Sequence, residues 1–263
     1  DTRSAINSED VVAIASNDRV GTVSTERVDI WRSDMVRTIE YGDVKAKQEP
    51  DMQEHEECSI TSALTRTENL AVTESCPENP NVTSLRLMGA TPEDSRKPEI
   101  SADATMDNQG SRLIAVGQKA AAVYQPGETP RIDSYSETGE KTASQPVAPS
   151  PEVNNSSTPF APATADLPHH MSWFDGQRLY LFTPTTLKVD HVFEDAIGTG
   201  MAVGDRLLMP TDEGIAVVNW STGETERNIP VDRGDYEGPV FLTQSGTAIV
   251  EQRGDTAVGL SAL

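Results

Sequence analysis

Apolar residues in this chain fall in short runs, some alternating with polar residues and some continuous. Gly, Asp, Asn and Pro cut the runs apart. The 3.6-residue spacing of an amphipathic helix is almost missing. A period of two sends successive side chains to opposite faces of an extended backbone, so such runs predict short β-strands. The first set is "VVAIAS" (Val11 to Ser16), "RVGTVST" (Arg19 to Thr25), "RVDIWRS" (Arg27 to Ser33) and "MVRTIEYG" (Met35 to Gly42). Links this short allow only antiparallel neighbours, so the four read as one meander.

The same reading continues along the chain. "CSITSAL" and "LAVTESC" predict two strands around the turn "TRTEN", and "NVTSLRLMGA" (Asn81 to Ala90) predicts a third. Three more are expected from Arg112 to Ser136, three from Met171 to Asp195, four from Gly200 to Val231, and three from Pro239 to the end. Between these sets, residues 90–110 and 138–168 are rich in Pro, Ser, Thr, Asn and Glu. They have the composition of disordered-like surface loops.

The sets resemble one another. "MSWFDGQRLYLF" and "GMAVGDRLLMP" share an apolar strand, a turn with Asp and Gly, and a second apolar strand. "RLIAVGQKAAAVY", "VVAIASNDRVGTV" and "VFLTQSGTAIVE" follow the same plan. Small sheets repeating about every 40 residues are the signature of a β-propeller. The expected fold is therefore all-β, a propeller spanning residues 1–263 as one domain with long loops at 90–110 and 138–168. Six units are recognisable, and a seventh would fit if a gap hides strands. A two-sheet β-sandwich is the alternative.

Cys58 and Cys76 are the only cysteines. Folded as a hairpin about Thr67, the segment between them sets the two opposite each other. Directly opposed residues bring their Cβ atoms to about 4.5–5.5 Å, close to the ~3.5–4.5 Å a disulfide needs. A structural disulfide is expected, and with it an oxidising compartment. "EHEEC" (Glu54 to Cys58) is rich in ligand atoms, but no C-x-x-C or H-x-x-x-H spacing supports zinc, so no metal is expected. Glu56 and Glu57 argue against a nucleophilic thiolate.

Composition narrows the partners. Asp and Glu number 42 against 21 Lys and Arg, a formal net charge of -21. Such a surface repels nucleic acids and anionic headgroups, and it suits an exported protein that must stay soluble. No run reaches the ~20 apolar residues of a membrane span. The polar opening "DTRSAINSED" lacks an initiator Met and reads as a mature or trimmed fragment, with an N-terminal membrane anchor expected outside it.

No catalytic motif stands out. "GTGMAVG" (Gly198 to Gly204) lacks the spacing of a dinucleotide loop, and there is no Walker or G-x-S-x-G motif. "DATMDN" (Asp103 to Asn108) lacks the Gly and distal Glu of a calcium loop. Trp31, Trp173 and Trp220 lie in or beside strands of three units. They are expected to pack between blades, with sugar stacking as the alternative. His169, His170, Trp173 and Asp175 lie around the start of a strand set and are the candidate ligand-binding residues. With 42 acids, paired carboxylates for glycan hydrolysis are too numerous to single out.

"GIAVVNWSTGETERNIPV" (Gly214 to Val231) resembles the repeat of quinoprotein-like (PQQ-like) β-propellers, in which an apolar strand ends in Asp or Asn before a Thr-Gly turn. The enzymes of that group carry a vicinal Cys-Cys bridge, whereas Cys58 and Cys76 are far apart. No PQQ or other cofactor is therefore expected. "VRTIEYGDV", "TENLAVTESCP" and "SLRL" resemble the exported propeller domains of membrane-anchored envelope proteins of mycolic-acid-containing actinobacteria. That likeness implies an extracytoplasmic, non-catalytic binding or scaffold domain in lipomannan and lipoarabinomannan assembly. Its implied partner is an envelope glycan or a membrane protein, with a glycan hydrolase or lyase as the alternative.

Overall fold

The computed structural model describes residues 11–260 apart from 17, 46, 48, 95 and 169. Its described strands form six antiparallel sheets, each a run of consecutive strands, and the fold is an all-β β-propeller. A β-sandwich would gather the strands into two large sheets instead.

Three sheets belong to a compact unit drawn from the chain up to Pro149, with Asn155–Ala161 and Thr185–Lys188. The first is β1 (Val12–Ser16), β2 (Arg19–Val23), β3 (Arg27–Arg32) and β4 (Arg37–Gly42). The second is β5 (Ser59–Arg66), β6 (Asn69–Ser75), β7 (Thr83–Gly89) and β8 (Ile100–Met106). The third is β9 (Arg112–Val116), β10 (Ala120–Gln125), β11 (Arg131–Ser136) and β12 (Lys141–Pro146). One apolar core runs through all three, built on Ile30, Ile39, Leu70, Val72, Leu85, Leu113 and Val123.

The second unit comprises Ser150–Asn154, Pro162–Pro184 and the chain from Val189 onward. It begins with the single helical turn α1 (Pro151–Asn154). Its first sheet is β13 (Ala163–Asp166), β14 (Met171–Phe174), β15 (Leu179–Phe182) and β16 (Val189–Phe193). The next is β17 (Met201–Val203), β18 (Arg206–Thr211), β19 (Gly214–Asn219) and β20 (Glu224–Pro230). The last has three strands, β21 (Val240–Ser245), β22 (Ala248–Arg253) and β23 (Thr256–Leu260). Leu179, Leu181, Leu207 and Val218 centre one core cluster, and Met201, Ile215 and Val240 centre another.

The stretches read as disordered-like loops, 90–110 and 138–168, are corrected by the structure. They contribute β8, β12, α1 and β13. All three strands are sheet edges and pair on one side only. An edge strand is held by its neighbour's backbone, so it needs little apolar surface of its own. β8 does alternate, with Ile100, Ala102 and Ala104 against the core, but its small alanines conceal the pattern.

Cys58 and Cys76 form a disulfide, as the hairpin reading expected. The register shows how. Arg66 pairs with Asn69 across the two-residue turn Thr67–Glu68, and Thr67 adopts a left-handed φ of 50°. Continued unbroken, that register would set Cys58 opposite Pro77. A bulge between Ile60 and Ser62 absorbs one residue, so Ile60 meets Glu74 and Ser59 meets Ser75. The next pair outward is Cys58 with Cys76.

Buried carboxylates recur from sheet to sheet. Arg27 Nη2 donates to Asp29 Oδ1 at 2.6 Å and to Glu40 Oε1 at 3.2 Å. In the third sheet Asp133 accepts from Ser144 Oγ at 2.6 Å and Gln125 Nε2 at 2.5 Å, beside Arg131. "RVDIWR" and "RIDSYS" thus place Arg and Asp alike on the third strand of their sheets. In the last sheet Glu251 is fully buried between Arg233 and Arg253, at 2.8 and 2.7 Å.

Three outcomes follow from this packing. Replacing both cysteines by Ser lowers unfolding free energy by about 3 kcal/mol, the chain-entropy value for a loop of this length, and a urea titration measures it. Glu251→Ala removes the carboxylate that pairs the buried Arg233 and half-buried Arg253 guanidinium groups and costs about 3 kcal/mol. Glu226→Ala, which breaks the exposed pair with Arg206, leaves the urea midpoint nearly unchanged.

Candidate functional site

A cleft of about 400 Å³ opens in the first unit between its second and third sheets. Its floor is apolar: Leu70, Leu87 and Met88 from β6 and β7, with Val116 and Ala120 flanking the β9–β10 turn. All five residues are buried, the least so being Leu87 and Ala120. The rim is polar and built from turns. Asn69 Nδ2 donates to the carbonyls of Gly117 at 2.9 Å and Gln118 at 2.7 Å, tying one sheet's hairpin to the next sheet's turn.

The opposite rim is the β11–β12 turn, which carries Glu137 and Thr138. Gly139 seats it. With φ at 78°, a methyl at this position would stand 2.3 Å from the Asp103 carbonyl oxygen of β8, so only glycine fits. Lys119 Nζ lies 3.5 Å from Glu137 Oε1. Both ends of that pair are exposed, so it is weak and easily exchanged for a ligand's charges. The cleft can therefore take a small apolar group in its floor and polar groups of either sign at its rim. Sequence reasoning missed it because its lining comes from residues scattered between positions 69 and 138.

The sequence-predicted site residues lie in the second unit, and His169 falls outside the described residues. His170 stacks on Trp220 with ring centroids 5.3 Å apart. Trp173 has no exposed surface. It stacks on Tyr180 at 5.3 Å and donates its indole N–H to Glu152 Oε2 at 2.6 Å. Asp175 is equally buried and organises the β14–β15 turn. It accepts from the Gln177 and Arg178 amides at 2.9 and 2.7 Å and pairs with the Arg178 guanidinium. Trp173 and Asp175 thus come together as packing and turn residues, and the sugar-stacking role considered for Trp173 has no open ring face here. Trp31 and Trp220 are buried as well.

A second cavity, of about 350 Å³, opens in the first unit beside the disulfide, against His55, Cys58, Cys76 and Arg86. Behind its wall Glu74, fully buried, accepts from Arg86 Nε at 2.8 Å and from the Tyr41 hydroxyl at 2.6 Å. Burial, then the Glu74 charge, raise the Tyr41 hydroxyl far above its usual range, so it stays a donor. Ligand atoms of His55, Cys58 and Glu74 lie within 4.8 Å of one another. No sequence spacing revealed this group, because Glu74 arrives from the far strand of the hairpin.

Glu152, on α1, accepts from the Ala163 amide at 2.7 Å as well as from Trp173. Burial pushes its carboxyl up to about 7, against the two hydrogen bonds that favour the ionised form. A raised carboxyl pKa means that the folded state holds a proton the unfolded state has released. Its contribution is fully present below about pH 4.5 and falls as pH rises to about 7. Thermal unfolding between pH 5 and pH 7.5 will show a decline that Glu152→Gln flattens. An equal decline in that variant would refute the assignment.

No protein-family model matches the chain, and no curated protein matches it. Among solved structures, the WD40 domain of SCAP from fission yeast aligns with 92% of this chain and 62% of its own length, at 9% identity and a TM-score of 0.50. This chain thus spans less than two thirds of that domain. A chain of a mitotic checkpoint complex aligns over 92% and 69%, at 9% identity and a TM-score of 0.50. Identity at this level carries the propeller fold and nothing about activity.

Proposed function

We propose that this chain is an extracytoplasmic, non-catalytic binding domain whose cleft between the second and third sheets receives a partner polypeptide. The observation that carries the reading is the cleft's make-up: a floor of Leu70, Leu87 and Met88 beneath a polar rim with Lys119 and Glu137. An apolar side chain fills such a floor while the adjoining backbone meets polar turns. The disulfide favours an oxidising compartment outside the cytoplasm. Among the described residues no helix is long and apolar enough to cross a membrane.

The "NWSTGE" turn, now placed between β19 and β20, supports a PQQ-like relationship within the propellers. Likeness to actinobacterial envelope proteins supports a membrane-anchored role in lipoglycan assembly, with the bound polypeptide a membrane protein of that machinery. An envelope glycan is the second reading. The cleft lining favours it less, since among the described residues no aromatic ring lines the cleft to stack on a sugar.

A displayed peptide library and an array of mannose- and arabinose-containing glycans, probed with the same protein, separate these readings. Saturable peptide binding is expected, weakened at least about tenfold (about 1.4 kcal/mol) by Ser101→Trp at the exposed rim. Unfolding temperature should be unchanged in that variant. Glycan binding without peptide binding, or product formation on the array, would overturn the proposal.

A further inference from the structure

His55, Cys58 and Cys76 line the cavity beside the disulfide, and Glu74 lies fully buried behind its wall; the binding role uses none of the four. His55 and Cys58 flank a tight turn closed by the Cys58 amide donating to the His55 carbonyl at 3.1 Å. Two ligands separated by two residues in such a turn are a common half of a zinc site. Glu74 and Cys76 supply the other half. Glu74 lies near the end of the extended strand β6 and Cys76 follows just past its end, two positions on, where a period of two sends both to one side. Cys76 Sγ stands 3.8 Å from Glu74 Oε1, and the ligand atoms of His55, Cys58 and Glu74 fit within 4.8 Å. Tetrahedral zinc bonds of about 2.0–2.3 Å need a small inward adjustment of His55 and Glu74 from that spacing, while the two sulfurs, 2.05 Å apart as a disulfide, must separate.

The surroundings match a metal centre. Arg86 Nε and the Tyr41 hydroxyl each hold one oxygen of Glu74, the hydrogen-bonded support that orients a ligating carboxylate. The cavity mouth carries Glu54, Glu56, Glu57 and Glu78, which concentrate cations at the entrance. While Cys58 and Cys76 are joined, neither sulfur is a thiolate and only His55 and Glu74 remain as donors.

We propose that His55, Cys58, Glu74 and Cys76 form a thiol-dependent zinc site, closed off while the disulfide stands and available once a dithiol reductant opens it. The dithiol delivers two electrons and two protons. The S–S bond breaks, two S–H groups form, and the reductant closes its own disulfide. Zn²⁺ then displaces both thiol protons to solvent as two Zn–S bonds form, with the His55 imidazole and the Glu74 carboxylate completing four ligands. Bridge and metal would hold the same hairpin end in alternation.

The test uses the whole chain, reduced with dithiothreitol and desalted anaerobically, beside the oxidised form. Calorimetric titration with Zn²⁺ should give one site in the reduced protein, at least roughly 100-fold tighter than any in the oxidised protein. Co²⁺ should produce a thiolate-to-cobalt charge-transfer band. His55→Ala should weaken the reduced site roughly tenfold or more, and Cys58→Ser with Cys76→Ser should abolish it. Should reduction alone unfold the hairpin, zinc should restore the oxidised circular-dichroism spectrum in the native sequence but not in His55→Ala. Equal zinc affinity in oxidised and reduced protein, or His55→Ala binding as tightly as the native sequence, would overturn the proposal.

Discussion

A short antiparallel sheet must have its faces covered, and the rest of this structure follows from that requirement. Fixing one residue's backbone costs roughly 1–2 kcal/mol, and burying a large aliphatic side chain returns about 1.5–3 kcal/mol. Four short strands break even only where their middle members lose water on both sides. β6, β10, β15 and β19 are buried along nearly their whole length. That is why "AAAVYQ" and "LYLF" read as continuous apolar or small runs with no polar alternation. The outer strands β12 and β20 are largely exposed and β8 is exposed on one face, and all three are carried by their neighbours' backbone ladders. β4 is the exception, because Arg96 pairs with its edge and covers it.

Cover on both faces has a cost wherever a polar side chain points inward. An isolated charge in such a place is untenable, so each buried acid is surrounded by donors. Asp29 and Glu40 share Arg27, Asp133 gathers Gln125 and Ser144, Asp175 holds Arg178, and Glu251 lies between two arginines. Such clusters add little net stability over an apolar core of the same shape, but they penalise any register that separates their members. In a chain with twice as many acids as bases, they also determine where the few arginines must go.

The same architecture creates the binding surface. Strands are consumed by packing, so the chemistry open to solvent lies in turns, and turns of neighbouring sheets meet where the β6–β7 and β9–β10 pairs diverge. The cleft floor is the margin of the hydrophobic core, left open because Gly117 and Gly139 let the turns sit close without filling it. The disulfide hairpin is a second such margin, with a buried carboxylate beneath it. A cleft of this kind recognises shape and a few polar groups, and that is the physical basis for proposing a binding role.

The sequence by itself determined the strand sets, the six repeats, the all-β class and the Cys58–Cys76 pairing, because each rests on local periodicity or on the only two cysteines present. The propeller was legible because its repeats are local. The edge strands β8, β12 and β13 were hidden, since an edge pairs through backbone atoms and leaves almost no side-chain signature. Tertiary structure alone decided that Trp173 and Asp175 are sealed inside, that Glu152 meets Trp173, and that Glu74 reaches His55 and Cys58. It also decided the bulge at Thr61, without which the cysteines would miss each other by one residue. Those outcomes depend on register between strands and contact between sheets, which one-dimensional spacing does not encode.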